Sequence, residues 1–175
     1  MRGVLAVGER VSLVRPCSRD RGAFLAATAS SQLLHGRWVF PPTTAAQFHA
    51  YLRRGRDDDT TASLVRDRSN DAIVGVINLN NIIRGGLQQA FVGYYVFAGH
   101  ERRGLMSDGL RTMVRFAFDD LALHRVEANI QPGNVASRAL AQRCGFTLEG
   151  FSPRYLQVGG VWCDHERWAR VREGN

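Results

Sequence analysis

The chain has 175 residues, a length that fits one domain and allows about 70% of the unfolded surface to be buried without disulfides or metal. Its net charge of +7 comes entirely from 23 arginines, because the chain contains no lysine. No apolar run approaches the roughly 20 residues of a membrane span, and the N-terminus lacks a secretory signal pattern. Three widely spaced cysteines indicate reduced thiols. We therefore expect one domain over residues 1–175, in the cytoplasm, with no membrane partner and no metal.

The arginine-rich composition has two interpretations. Guanidinium groups pair with phosphates and carboxylates at any working pH, so the charge fits a weak association with ribosomes or RNA. Scattered positive charge also serves solubility alone. No RNA-recognition or helix-turn-helix pattern accompanies the arginines, and both interpretations stay open.

The N-terminal third predicts one strand and two helical regions. Residues 10–15 alternate polar and apolar side chains, as an edge strand does, and a proline follows. Residues 18–34 predict a helical stretch that breaks once and resumes. After two prolines, Thr43 or Thr44 caps a helix that continues through Leu52.

Three strands then follow at short spacing, at Ala62–Arg66, Ile73–Ile83 and Gln88–Phe97. Asn and Gly residues mark the turns between them, as expected of hairpins. This part of the chain therefore predicts an antiparallel meander.

Helices and strands alternate after the meander. A long amphipathic helix begins at Leu105, a strand covers Arg125–Ile130, and a shorter helix runs from Asn134 to Cys144 before a final strand at Val161–Val171. An antiparallel meander followed by a β-α-β unit predicts an α+β fold with a mixed sheet packed by helices.

The loop before the long helix has the composition of a phosphate-binding loop. Gly104 stands just before the helix, where free N–H groups and the helix dipole attract anions. Arg102 and Arg103 add positive charge. The spacing matches neither the dinucleotide fingerprint nor the Walker loop. These residues alone thus indicate a pyrophosphate-bearing ligand.

At this loop the chain resembles the GNAT acetyltransferases, whose loop has the pattern Q/R-x-x-G-x-G/A, and within them the ribosomal-protein-alanine N-acetyltransferases of the RimJ/RimL type. Glu101 and Met106 depart from that pattern. The resemblance implies the GNAT fold, with about six or seven strands in a mixed, mostly antiparallel sheet, about four helices, and central parallel strands that splay apart. Similar segments recur in the same order along nearly the whole chain: Leu34-His35-x-x-Trp38-Val39, Gly75–Gly85, Leu123–Ala128, Asn134-x-x-Ser137, Gly145-Phe146-x-x-Glu149-Gly150, and Gly160-x-Trp162-x-Asp164-His165.

The resemblance implies acetyl-coenzyme A as the donor substrate, bound between the splayed strands at Tyr94–Phe97 and Val126–Ile130. We expect those strands to separate because the helices after them lie on different sides of the sheet. Pantetheine would then pair with the first strand, and the pyrophosphate with the loop. The expected cofactor-binding residues are Val96, Phe97, Arg102, Arg103, Gly104, Leu105, Met106, Ser107, Asn134, Ser137 and Arg138.

Acetyl transfer to an amine needs a deprotonated amine, a polarised carbonyl and a proton for the thiolate. Similarity to RimL-type enzymes implies that Ser137 protonates the thiolate, and Glu127 and Tyr155 are the other candidate catalytic residues. The same similarity places the acceptor next to a further set of side chains: His35, Trp38, Tyr94 and Tyr155.

RimL-like enzymes carry a glutamate just before the tyrosine of the penultimate strand, where this chain has Arg154. The base therefore stays open among Glu127, the Asp164–His165 pair, His35 and a water chain. Without a dedicated carboxylate, an α-amine with a pKa near ~7.7–8.0 reacts more readily than a lysine amine near ~10.4.

The resemblance implies direct acetyl transfer to the N-terminal α-amine of a ribosomal protein or peptide. Two alternatives stay open. One is acetylation of a small amine or antibiotic, and the other is a non-catalytic acyl-coenzyme A-binding or RNA-associated protein on the same fold. A homodimer is an open alternative to a monomer.

Overall fold

A computed structural model describes residues 3–174. Within them eight strands form one sheet in the order β1-β2-β3-β4-β5-β6-β8-β7, and neighbouring strands are antiparallel except for the central pair β5 and β6. The strands are β1 (Val4–Val7), β2 (Val11–Val14), β3 (Leu64–Asp67), β4 (Ile73–Ile83), β5 (Gln89–Val96), β6 (Arg125–Ile130), β7 (Thr147–Val158) and β8 (Val161–Val171).

Five α-helices and a short 3₁₀ turn at Ser18–Asp20 cover the two faces of this sheet within the described residues. Thr44 caps α3 as predicted. Its hydroxyl accepts the Gln47 N–H at 3.2 Å, and the side-chain oxygen of Gln47 accepts the Thr44 N–H. The helices are α1 (Arg21–Ser30), α2 (Gln32–His35), α3 (Ala45–Arg54), α4 (Leu105–Asp119) and α5 (Val135–Arg143).

Each face has its own apolar cluster. On one face, Leu110 and Met113 of α4 are fully buried against the sheet, together with Ala141 of α5. On the other face, Phe24 of α1 and Phe48 of α3 are fully buried, with their ring centroids 4.9 Å apart. The sheet is therefore a central layer between two sets of helices.

Most predicted elements are confirmed, including the bounds of β4, β6 and β8. The strand predicted at residues 10–15 is β2, but it is not an edge, because β1 pairs with its outer side. A run of four apolar residues at Val4–Val7 gave no alternation that would reveal β1. The predicted placement of the two later helices is also wrong, since α4 and α5 contribute to the same apolar cluster. Over residues 3–174 the sheet has eight strands, against the six or seven expected, and there are five α-helices, against the four expected.

No helix among the described residues is long and apolar enough to cross a membrane. Likewise, within residues 3–174 no group of three or more His, Cys, Asp or Glu side chains is arranged to hold a metal ion.

Candidate active site

The two parallel strands separate after a short paired segment. Residues 89–91 of β5 pair with residues 125–127 of β6, and the ladder ends there although both strands continue. The N–H of Phe97 donates to the Val74 carbonyl on β4 at 2.8 Å. Because hydrogen-bonding groups alternate sides along a strand, the backbone groups of Tyr94 and Val96 face the opening instead. The predicted splay is present, and it exposes a strand edge.

Two side chains of the α1–α2 region hydrogen-bond to the backbone at the C-terminal end of this edge. The Nε2 atom of His35 lies 2.8 Å from the Val96 carbonyl oxygen, and the Ser31 hydroxyl accepts the Ala98 N–H at 2.9 Å. His35 is 5% exposed and packs edge-on against the ring of Tyr95. His35 was expected beside the acceptor, but its imidazole instead binds the backbone of the β5 edge.

A cleft of about 310 Å³, called the acceptor cleft below, opens beside the unpaired part of β5. Among the described residues that line it none is a carboxylate, and Arg54, at the end of α3, forms no ion pair with any described residue. Most of the lining is aromatic or carries amides, and includes Trp38, Tyr51, Asn78, Tyr95, Asn129 and Asn134.

Ser137 and Asn134 lie together at the start of α5, on the border of this cleft. The Asn134 side chain caps the helix by accepting the Ser137 N–H at 3.2 Å. The Tyr94 hydroxyl donates to the Ser137 carbonyl at 2.9 Å, and burial raises the pKa of Tyr94, which keeps the hydroxyl protonated. The Ser137 hydroxyl makes no hydrogen bond within the described residues and is free to act on a bound group.

Gly104 immediately precedes α4 in the left-handed conformation, with φ of +77°, and it is exposed. Leu105, Met106 and Ser107 are buried, and the first N–H groups of a helix have no partner within the helix itself. The Arg10 guanidinium donates to the Arg103 carbonyl at 2.9 Å and thereby ties β2 to this loop. The local geometry is that of an anion-binding helix start.

A second cleft, of about 540 Å³, adjoins the loop. Asp108, one of two acids on its wall, accepts the N–H groups of Arg10 and Val11 at 2.8 and 3.0 Å, which satisfies its charge locally. Four guanidinium groups remain on the wall, and none of them pairs with an acid among the described residues: Arg10, Arg102, Arg111 and Arg143. The cleft is suited to a polyanion.

Other candidate residues are engaged elsewhere. The Oε1 atom of Glu127 lies 2.6 Å from Nε of Arg125, and the same guanidinium also pairs with Glu149. Glu127 does not line the acceptor cleft. Nε of Arg138 lies 2.8 Å from Oε2 of Glu166. The predicted roles of Glu127 as a catalytic residue and of Arg138 as a phosphate ligand therefore lack support from the geometry.

The remaining predicted residues lie in the acceptor cleft, in the core or on the surface. Trp38 lines the acceptor cleft, with the Arg37 guanidinium 4.7 Å from the centre of its ring. Val96 offers its backbone to the opening, whereas the Phe97 side chain is buried in the opposite cluster. Tyr155 stands outside the lining, partly exposed, with its ring 6.4 Å from that of His165.

Sequence reasoning missed Asn129 and Arg54 in the acceptor cleft and Arg10 at the loop. Asn129 is a polar residue in an otherwise apolar strand end, and its Oδ1 atom is buried without a hydrogen-bond partner among the described residues. An orphaned buried acceptor in a cleft is a signal that a ligand donates to it. No sequence signal identifies Arg10, because only the fold brings it beside Gly104.

This combination of a splayed parallel pair and a glycine-led helix start defines the class of protein. Residues 10–147 match the family model described as "Acetyltransferase (GNAT) domain". The chain therefore belongs to the GNAT acetyltransferase family.

Two individual relatives also match parts of the chain. The chain is 40% identical over 116 residues to the "Probable N-acetyltransferase YjcK" of Bacillus subtilis, covering 66% of this chain and 64% of the relative. It is 34% identical over 99 residues to the "[Ribosomal protein uS5]-alanine N-acetyltransferase" of Escherichia coli, covering 57% and 51%. The matches thus span less than two thirds of the length of these relatives.

Among solved structures, the fold is similar to that of RimJ from Mycobacterium smegmatis in complex with CoA-disulfide. The TM-score is 0.84 at 26% sequence identity, covering 96% of this chain and 87% of that one.

Proposed function

We propose that the protein is an acetyl-coenzyme A-dependent N-acetyltransferase that transfers acetyl directly to the N-terminal α-amine of a ribosomal protein or another peptide. The observation that carries the proposal is the open β5 edge at Tyr94, which leads to the helix start at Gly104. A thioester on a long arm with a pyrophosphate fits an extended strand edge that ends in an anion site.

The residues present fit this donor along its whole length. The N–H groups of residues 104–107 would hold the pyrophosphate, Arg102 and Arg103 would add charge, and the Tyr94 backbone would pair with the pantetheine amides. When bound, the donor supplies an acetyl group activated as a thioester. Ser137, on the cleft wall, would supply the proton that the departing thiolate needs.

Direct transfer is favoured over an acyl-enzyme by the state of the cysteine at the end of α5. Cys144 is buried, and burial raises the pKa of its thiol, which disfavours the nucleophilic thiolate. Its sulfur lies 3.5 Å from the Ser107 carbonyl, inside the protein.

The acceptor cleft favours an amine with little positive charge around it. A polycationic small amine would call for carboxylates in the cleft, and the described lining has none. Arg54, which has no ion-pair partner within residues 3–174, instead offers a cation that suits a peptide with an acidic residue near its N-terminus. The Escherichia coli relative is named for alanine acetylation on ribosomal protein uS5, which supports a ribosomal protein as the acceptor. A cytoplasmic location, a homodimer and a weak association with RNA stay predictions.

The test is thiol release from acetyl-coenzyme A against a panel of peptides with free N-termini, the same peptides with blocked N-termini and an internal lysine, and small polyamines. We expect turnover with the free N-termini only. Turnover that is fastest with polyamines would contradict the proposed acceptor. If the purified protein binds coenzyme A and acetylates none of the acceptors, the non-catalytic alternative replaces the enzyme.

A further inference from the structure

We propose that His165 is the general base of the reaction: its Nε2 atom accepts the proton that leaves the acceptor amine. The inference rests on the proposed function and adds a catalytic residue to it. His165 lines the acceptor cleft, although only 3% of its surface is exposed.

The hydrogen bonding of His165 fixes which nitrogen is free. Its Nδ1 atom lies 2.9 Å from the Cys163 carbonyl oxygen. A carbonyl oxygen only accepts hydrogen bonds, so Nδ1 carries the proton. The neutral imidazole then has an unprotonated Nε2, which makes no hydrogen bond within the described residues. A base with a lone pair at a cleft wall is the requirement for taking a proton from the amine.

An irregularity in the β7–β8 pairing holds this ring in place. Ser152 pairs with His165 and Leu156 pairs with Cys163, so β7 carries two extra residues between these points. Arg154 lies in this bulge with φ of +46°, a conformation that costs energy in a residue other than glycine. Its N–H donates to Oδ1 of Asp164 at 2.8 Å. The bulge brings the Tyr155 ring edge-on against the imidazole.

Arg154, at the position that carries glutamate in RimL-like enzymes, therefore has a structural role here. Arg154 shapes the bulge through its backbone, and the neighbouring strand β8 supplies the base.

His165 and Ser137 lie on opposite faces of the sheet. Ile130 pairs with Glu166, whose carboxylate binds Arg138 of α5, so these side chains are on the α5 face. Side chains alternate along a strand, which puts His165 on the other face. Asn129, which pairs with Arg167, shares that face, and its unpartnered Oδ1 can accept a second amine N–H.

This arrangement separates the two proton transfers. The amine nitrogen forms a bond to the acyl carbon and loses one proton to Nε2 of His165. The bond from that carbon to sulfur breaks with both electrons staying on sulfur, and the thiolate gains a proton from Ser137, which is resupplied from solvent. His165 returns its proton to solvent. The amine and thiolate sides of the opening thus each have their own proton group.

Competing bases are less well placed. Glu127 is held by Arg125 outside the cleft. Burial raises the pKa of Tyr51, Tyr94 and Tyr95, so none of these phenols is a base at neutral pH.

Charged groups lie next to His165 along β8 and on the wall of the acceptor cleft. Asp164 binds the Arg154 N–H, and Glu166 binds Arg138 and the Trp168 indole on the other face. Arg54 is the cation of the cleft wall, and Tyr155 is the titratable side chain that β7 packs against the ring.

The test compares His165→Gln with His124→Gln, which removes an exposed imidazole outside both clefts. We expect His165→Gln to lower kcat by about 10²–10⁴-fold, the usual range for loss of a general base, with little change in coenzyme A affinity by calorimetry. His124→Gln should keep the wild-type kcat.

A measurement independent of turnover uses ¹⁵N-histidine NMR. We expect one resonance typical of an unprotonated Nε2 that is lost in His165→Gln and shifts when the acceptor peptide is added. A protonated Nε2 in the neutral ring would overturn the inference, as would an unchanged kcat in His165→Gln or an equal loss of kcat in His124→Gln. If His165→Gln fails to fold, the NMR result on the wild type decides the question. Absence of turnover in the wild type would instead count against the proposed function.

Discussion

Replacing Gly104 by valine should abolish tight binding of acetyl-coenzyme A while the protein stays folded. Gly104 is exposed at the start of α4, with φ of +77°. A Cβ there would lie 3.5 Å from Nη1 of Arg10, which leaves room for that atom itself. The two γ-methyl groups of valine extend further, over the N–H groups that the phosphate has to reach.

The substitution is expected to lower both the stability of the protein and its affinity for acetyl-coenzyme A, and the two effects can be measured separately. A left-handed valine costs about 1–2 kcal/mol of stability, wherever it stands. Each charge-assisted hydrogen bond from a backbone N–H to phosphate contributes about 1.5–3 kcal/mol. Loss of two such bonds weakens binding by about 3–6 kcal/mol, or roughly 10²–10⁴-fold in Kd.

Gly85→Val is the matched control. Gly85 lies in the β4–β5 turn with φ of +71°, is exposed, and has open space around the position of a Cβ. Both variants should therefore lose a similar part of their thermal stability, and only Gly104→Val should lose affinity in titration calorimetry. Equal affinities in the two variants would refute the assignment of the pyrophosphate site.

Two further predictions concern the acceptor cleft. Ser137→Ala should lower kcat by about 10²-fold with little change in the KM for acetyl-coenzyme A, because a proton donor acts mainly in the transition state; an unchanged kcat would mean that the thiolate takes its proton from solvent. Arg54→Gln should raise the KM for peptides with an acidic residue near the N-terminus by up to about 5-fold, the effect of an exposed ion pair worth about 0.2–1 kcal/mol, and should leave neutral peptides unaffected. Arg53→Gln, an exposed neighbour outside the cleft lining, is its control, and an equal effect in both variants would show that only general charge matters.

Local patterns predicted strand β6 and the start of α4, which follows the cofactor loop. Strand β6 and the start of α4 are bounded by clear signals, because apolar periodicity and a glycine mark their ends. Gly104 could be identified for the same reason: backbone access and helix polarity are properties of a few consecutive residues.

The acceptor side was harder to predict, because it is assembled from elements far apart in sequence. Arg54 ends α3, Asn129 lies one residue before the end of β6, and His165 lies in β8, so no spacing rule connects them. His35 illustrates the opposite error. It belongs to a segment shared with RimJ-like enzymes, yet its imidazole binds a buried carbonyl, and only the fold distinguishes such a histidine from one that faces a substrate.

Ion pairing bears on the prediction that Glu127 is a catalytic group. A carboxylate in a strand beside the opening is a plausible base until its neighbours are known. Arg125, two residues earlier on the same strand face, binds it at 2.6 Å. Glu127 is thus engaged by this guanidinium and does not line the acceptor cleft.

Tyr94 links the two sides of the proposed site. Its backbone faces the opening where the donor would pair, and its hydroxyl reaches across to the Ser137 carbonyl at 2.9 Å. One residue thus sets the distance between the β5 edge and the start of α5. Burial raises the pKa of Tyr94, so this hydrogen bond stays intact throughout the neutral pH range. The spacing of the opening that Tyr94 sets therefore does not change with pH in that range.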